Sequence, residues 1–538
     1  MKFISTLLLA LLSVAMVAST TADDDDAPNM RGSTAASSRR LQDEPTTNTS
    51  GRPNILFIPV DDLNNWVGYM GVNPQSKTPN FDRLSAMGLS FTNAHASSTI
   101  CNPSRAAVWS GTRPSTTGCY DNRDHPWTRY IGEGLGLNAH FKNNGYYAAA
   151  RGKTYHSSQG GNSWADFERK ATVYPKEWDK YPEVKNLFPL KPHYLDGFTQ
   201  DYPMMKKVED KSDPDYHTVN FCEEQLQKAG ERDEPLFLAC GIVKPHLPWV
   251  VPQKYYDMYP KDEIIMPGGF ADEKQRRKDL NDIPEPGIDL AKPENEFANV
   301  TKLNRELDAI QSYLATIAYA DYNIGRLLDA FEASPEKDNT IIVLWSDHGY
   351  HLGQKQHWKK QTLWQEASSV PFIWVVPGIT KPGTTTHAPV DLQSIYPTLC
   401  DLSGLPIPEH VDGDNIRPLL ENPDSEWVGI ALTTMRYKNH AVRDERYVYI
   451  RYWDGSEELY DTKFDPHEFD NLAKKDAYEP IKERLSKHFP VVNMKIWYDG
   501  QTCTDGDDQH MKRCPDGTVV ARDPNRGCKY ISHGLKLS

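Results

Sequence analysis

Asn54-Ile55-Leu56-Phe57-Ile58-Pro59-Val60, closed at once by Asp61-Asp62, is a continuous apolar run ending in two acids. Six apolar residues after Asn54, without polar alternation, are expected of a strand covered on both faces, as in parallel sheets flanked by helices. Carboxylates at the carboxyl end of such a strand sit where open α/β sheets bind ligands. Two adjacent acids repel unless a cation lies beside or between them. A second run has the same form: Thr340-Ile341-Ile342-Val343-Leu344-Trp345, then Ser346-Asp347-His348-Gly349. Two central strands that deliver Asp61, Asp62 and Asp347 to one sheet edge make a site of oxygen ligands suited to Ca²⁺ or Mg²⁺. Pro235 to Cys240 and Val370 to Gly378 read as further buried strands, so an α/β fold with a large, mostly parallel sheet is expected.

Between the two acidic strand ends lies Cys101-Asn102-Pro103-Ser104-Arg105-Ala106-Ala107-Val108-Trp109-Ser110-Gly111. Pro103 and Ser104 suit a first helical turn. A helix start beside Cys101 would point backbone N–H groups at an anion, and Arg105 adds a permanent cation with forked donors. Taken alone, a single cysteine here is more often a small buried thiol in a core helix. Further on, Arg151-Gly152-Lys153-Thr154-Tyr155-His156 presents a lysine and a histidine three apart from a loop. Lys244-Pro245-His246-Leu247-Pro248-Trp249 holds a histidine between prolines, outside any helix. Trp249 reads equally as a sugar platform or as packing. His357-Trp358-Lys359-Lys360 is a charged pair of the kind usually found in solvent.

These strings together resemble the type I, formylglycine-dependent sulfatases, in the iduronate-2-sulfatase-like branch. The likeness rests on C-x-P-S-R with a following Ser-Gly pair, Asp61-Asp62, G-K-x-x-H, K-P-H-x-P and Asp-His-Gly, in consistent order from Pro53 to Ala473. It implies an alkaline phosphatase-like sandwich with a smaller antiparallel C-terminal part. It implies that Cys101 is oxidised in the secretory pathway, by the formylglycine-generating enzyme, to an aldehyde whose hydrate attacks sulfur. Asp61, Asp62, Asp347 and His348, together with Cys101 as formylglycine, are then expected around a divalent ion, usually calcium. Many sulfatases carry Asn where His348 stands. Arg105, Lys153 and Lys360 are expected on sulfate oxygens, with Lys360 favoured over Lys359 by its place two residues after Trp358. His246 is the candidate acid for the leaving alcohol, and His156 assists hydrate deprotonation or binds sulfate; the division between them is open. Relatives with these motifs act on sulfated glycans, including glycosaminoglycans and algal polysaccharides. Phosphonate or phosphate ester hydrolysis on the same fold, or a catalytically inactive carbohydrate-binding homologue, are the rival readings.

The 538 residues carry 60 Lys and Arg against 74 Asp and Glu, a net charge of −14 that argues against nucleic-acid binding. An acidic protein that handles sulfated polyanions must gather its cations locally. Met1 to Ala22 reads as a signal peptide: Lys2, an apolar run from Phe3 to Val17, then small residues. That run is too short for a membrane anchor, and no later stretch is apolar enough to span. A secreted or lysosome-like destination follows. Residues 23–51 are nearly devoid of apolar side chains and are expected to be disordered or a propeptide, with Arg39-Arg40 as a processing site. The catalytic domain is expected over 52–424 and a C-terminal subdomain with a Cys-containing tail over 425–538. Of eight cysteines, seven remain if Cys101 is converted; one disulfide is expected among Cys503, Cys514 and Cys528. Asn48 and Asn299 head glycosylation sequons. Leu307 to Phe331 is expected as a long amphipathic core helix, Asp391 to Leu402 as a second, and the loops Tyr120 to Tyr130 and Tyr174 to Thr199 as walls of a sugar subsite.

Overall fold

In the computed structural model the first apolar run is strand β1 (Asn54–Val60), with every residue buried. The structure describes residues 51–122, 128–156, 164–168, 209–268, 276 and 278–494, with the backbone of three short strands at 511–513, 519–523 and 529–530. Chain contacts set Met1–Asn48 apart from Thr49–Ser538, and all described residues belong to the second unit. The expected signal peptide, the 23–50 segment, the Asn48 sequon, the Tyr174 to Thr199 loop and the three C-terminal cysteines lie outside the described residues.

Seven further strands join β1: β2 (Leu89–Phe91), β3 (Tyr147–Gly152), β4 (Asp166–Glu168), β5 (Leu236–Gly241), β6 (Thr340–Ser346), β7 (Phe372–Val375) and β8 (Thr384–Thr386). Their order across the sheet is β8-β2-β7-β6-β1-β5-β3-β4. β1 pairs in parallel with both β6 and β5, and β3 in parallel with β5 and β4. β7 runs antiparallel between β6 and β2. The sheet is therefore mixed and mostly parallel, as its uninterrupted apolar strands require.

Alternation along β1 divides the core into two layers. Leu56, Ile58 and Val60 face a cluster containing Val219, Leu226, Ile310, Leu314, Ile317, Ile324 and Leu328, supplied by the helices Pro214–Gln227 and Glu306–Glu332. Ile55 and Phe57 face the opposite cluster with Val108, Trp109, Phe141, Ile395 and Leu399, from the helices Cys101–Ser110, Leu137–Asn143 and Ile395–Leu402. Each such side chain contributes roughly 1.5–3 kcal/mol through burial. The long helix matches its expectation within one residue at each end. The second begins later than expected, because Asp391 caps a turn of tighter helix at Leu392–Ser394 before Ile395.

Beyond the sheet, β9 (Ala431–Thr434), β10 (His440–Arg443), β11 (Tyr447–Arg451) and β12 (Glu457–Asp461) form an antiparallel meander. Its four strands are only four or five residues long. Among the described residues, no helix is long and apolar enough to cross a membrane.

Candidate active site

Four parallel strands end at the same edge, and each is followed by a candidate residue. Asp61 and Asp62 follow β1, Asp347 and His348 follow β6, Lys153 follows β3, and His246 stands in the loop after β5. The exit of β3 is tight: Gly152 has φ 77°, and a Cβ there would lie 2.1 Å from the Gly241 carbonyl oxygen. Only glycine lets the Lys153 N–H reach that oxygen, at 2.9 Å.

Cys101 opens its helix, two residues earlier than Pro103 and Ser104 alone imply. The reason is an added cap: the Asn102 N–H donates to the Asn122 side chain at 2.9 Å. The Ser104 hydroxyl is thereby left to donate to the Asp347 carbonyl at 2.6 Å. Arg105, one turn in and 1% exposed, donates from Nε to Asp347 Oδ2 at 2.8 Å and from Nη1 to the Lys153 carbonyl.

Around the Cys101 sulfur stand His348 Nε2 at 3.2 Å and Lys360 Nζ at 3.4 Å, with His156 hydrogen-bonded to the thiol. Lys153 is ion-paired with Asp61, and Lys360 with Asp62. His246 Nε2 is 3.9 Å from Asp62 Oδ2, its side chain 32% exposed. All the candidate residues meet in one place. Lys359 instead pairs with Glu296. Trp249 is not a sugar platform: it is buried against Tyr313 and Tyr350, with its Nε1 donating to the Pro245 carbonyl.

The electrostatics are those of a buried, nearly balanced cluster. Burial works to raise the Asp61 carboxyl, but Lys153, His246 and Arg105 outweigh it and hold it below the usual range. Burial likewise opposes ionisation of Cys101, yet Lys153, Lys360 and His348 bring the thiol well below its ordinary value. Burial pushes Asp347 up to about 6 against the pull of Arg105. His348 is carried to about 9, burial being overcome by Asp347 and Cys101. Its Nδ1 faces the Gly349 carbonyl at 3.0 Å, which keeps a proton there and turns Nε2 toward residue 101.

These residues fit a divalent cation. One donor atom each from Asp61, Asp62, Cys101 and His348 lies within 4.8 Å of the others, and Asp61 Oδ1 is buried without a hydrogen bond. Asp347 stands one step back: Oδ1 accepts from the Asp62 and His348 N–H groups, both at 3.1 Å, and Oδ2 from Arg105. Reasoning from sequence missed Tyr313, whose hydroxyl donates to the Asp62 carbonyl at 2.7 Å and accepts the Asn64 N–H at 2.9 Å. It supports Asp62 in its left-handed conformation, φ 62°. On an apolar helix face, nothing marks that tyrosine as different from its neighbours.

A buried nucleophile position ringed by cations and acids, at the carboxyl edge of this sheet, defines a hydrolase of anionic esters. A sulfatase family profile matches residues 53–405, and the N-sulphoglucosamine sulphohydrolase C-terminal profile matches 353–495. A sulfatase of Formosa agariphila is 38% identical over 464 residues, covering 82% of this chain and 87% of that protein. An ulvan-active sulfatase of the same organism is 30% identical, covering 82% and 80%. Human iduronate 2-sulfatase is 29% identical, covering 67% and 70%. The crystal structure of a phosphonate monoester hydrolase of Agrobacterium radiobacter superposes with a TM-score of 0.66 at 21% identity, covering 88% of this chain and 100% of that one. It shares the fold. The chain belongs to the type I sulfatase family and is a sulfuric ester hydrolase.

Proposed function

We propose that this sulfatase removes sulfate from a sulfated carbohydrate, a glycosaminoglycan or an algal polysaccharide, using formylglycine derived from Cys101. The observation that carries the reading is the convergence of Lys153, Lys360 and Arg105 with three carboxylates around Cys101 at one buried sheet edge. The ulvan-active sulfatase and iduronate 2-sulfatase relatives support a carbohydrate substrate. A divalent ion, calcium by family resemblance, would be held by Asp61, Asp62 and His348 beside residue 101, with Asp347 behind them fixing the Asp62 and His348 backbone, and it would supply Lewis acidity toward sulfate there.

The residues divide the remaining work. Lys153 and Lys360, both held as ammonium ions by neighbouring acids despite burial, offset charge on the sulfate oxygens. In a site closed to water that effect is large. Arg105 fixes Asp347 and ties the nucleophile's helix to the Lys153 loop. His156, hydrogen-bonded at position 101, accepts the proton from the nucleophile. His246, with Nδ1 against the Leu247 carbonyl at 2.6 Å, turns Nε2 into the site and protonates the departing alcohol.

Residues 1–22 as a signal peptide, 52–424 as the catalytic domain and 425–538 as the C-terminal subdomain complete the proposal. Asn299 is exposed, which suits a glycan and a secretory route. Sulfate release from ulvan and glycosaminoglycan oligosaccharides and from 4-nitrophenyl sulfate tests the reading. Release by the wild type and none by Cys101→Ala is expected; turnover of phosphonate esters alone would overturn it.

A further inference from the structure

The turn joining β9 to β10 runs Met435-Arg436-Tyr437-Lys438-Asn439, with Arg436 and Lys438 both in left-handed backbone, φ 57° and 63°. It is closed by the Met435 N–H on the Asn439 carbonyl and by the Asn439 side chain on the Met435 carbonyl, each at 2.9 Å. Asn439 Oδ1 also accepts the Trp453 N–H at 3.0 Å. Together with Pro286, Asp289 and Leu290, this turn and Trp453 enclose a cavity of about 470 Å³.

Its lining is unlike ordinary surface. Trp453 leaves 63% of its area exposed beside the cavity. Arg436 Nε is buried but donates to nothing, a donor that a native structure normally satisfies. Lys438 Nζ lies 5.4 Å from the Tyr437 ring centre, and Asp289 is the one acid on the wall. An exposed indole beside two cations, one of them unsatisfied, suits a sugar ring bearing an anionic substituent.

The cavity is coupled to the nucleophile's surroundings. The Tyr437 ring meets the Tyr120 ring edge-on at 6.0 Å. The two residues after Tyr120 hold Asn102, next to Cys101, through the Asp121 carbonyl and the Asn122 side chain. Met435 and Leu290 share an apolar cluster with Ile100.

We propose that this cavity is a subsite for a second sugar of the sulfated glycan, adjacent to the one that loses sulfate. Trp453 stacks on the ring, and Arg436 and Lys438 bind its sulfate or carboxylate. The assignment rests on the carbohydrate reading of the active site. The test therefore separates the two. Cys101→Ala protein, which cannot turn over, is titrated by calorimetry with ulvan, carrageenan and heparin tetrasaccharides, their monosaccharide sulfates and inorganic sulfate. At least one tetrasaccharide is expected to bind ten-fold or more tighter than its monosaccharide. The Arg436→Ala/Lys438→Ala pair and, separately, Trp453→Ala are expected to remove that advantage. In mature enzyme the same changes should leave 4-nitrophenyl sulfate turnover unchanged while raising KM for the tetrasaccharide ten-fold or more. A tetrasaccharide advantage that survives these substitutions, or the absence of any such advantage, overturns the subsite. Loss of aryl sulfate turnover in the wild type would instead overturn the proposed reaction.

Discussion

Lys153 and Lys360 sit on the same carboxylates that are candidates to hold a cation, and this pairing explains how so many charges are tolerated without solvent. Removing one partner of a buried pair is expected to cost far more than an exposed pair would. Lys153→Ala and Lys360→Ala should each lower kcat by about 10²–10³, the scale of losing one donor to a developing oxyanion. Steady-state rates on an aryl sulfate, with folding checked by circular dichroism, measure this; a change of less than about ten-fold, well below that scale, would remove the residue from the sulfate-binding set. A different residue gives a pH signature. Burial, reinforced by Glu468, raises Glu366 to about 8. The unfolded carboxyl ionises lower, so the folded state retains a proton the unfolded state has lost, and stability falls as pH rises across that interval. Glu366→Gln, which does not titrate, should match the wild type near pH 4 and gain a few degrees of melting temperature by pH 8. Equal melting curves at both pH values would show that Glu366 is ionised in the fold.

At the scale of elements, the strand ends were readable because burial leaves a plain mark. Uninterrupted apolar runs that finish in Asp61-Asp62 or Asp347-His348 announce both the sheet and its functional edge. Phe57, buried against Trp109, Trp345 and Phe237 at 5.2, 5.5 and 5.8 Å, anchors that sheet to the nucleophile's helix. Phe57→Ala should destabilise the protein by about 3–5 kcal/mol, read from denaturant unfolding. Tyr313→Phe should lose roughly 1 kcal/mol and loosen Asp62 without touching substrate. What the sequence could not display is support acting through backbone. The Asn122 cap that starts the helix at Cys101 comes from a loop 20 residues away. Nothing in the residue order tells an observer that Trp249 would turn inward on Tyr313 and Tyr350, while Trp453 stays outside.

Across the whole molecule, a chain of net charge −14 gathers Arg105, Lys153 and Lys360 at one sheet edge and Arg436 and Lys438 at a neighbouring cavity. At the sheet edge the three cations are matched by Asp347, Asp61 and Asp62, so what gathers there is cations and acids together. Overall repulsion of a polyanion is screened over about 8 Å at physiological salt, so local cations govern what is bound. The acidic donors at the same edge should make activity depend on a divalent ion: exhaustive chelation is expected to abolish sulfate release, and calcium to restore it and raise the melting temperature. Activity unchanged by chelation would argue against the cation site. The central claim is that residue 101 does not act as a cysteine. The mass of the tryptic peptide from Leu84 to Arg105, taken from protein secreted by a eukaryotic host coexpressing the formylglycine-generating enzyme, tests it most directly. The aldehyde mass is the expected result; an intact thiol in protein that still releases sulfate from its substrate would contradict the account.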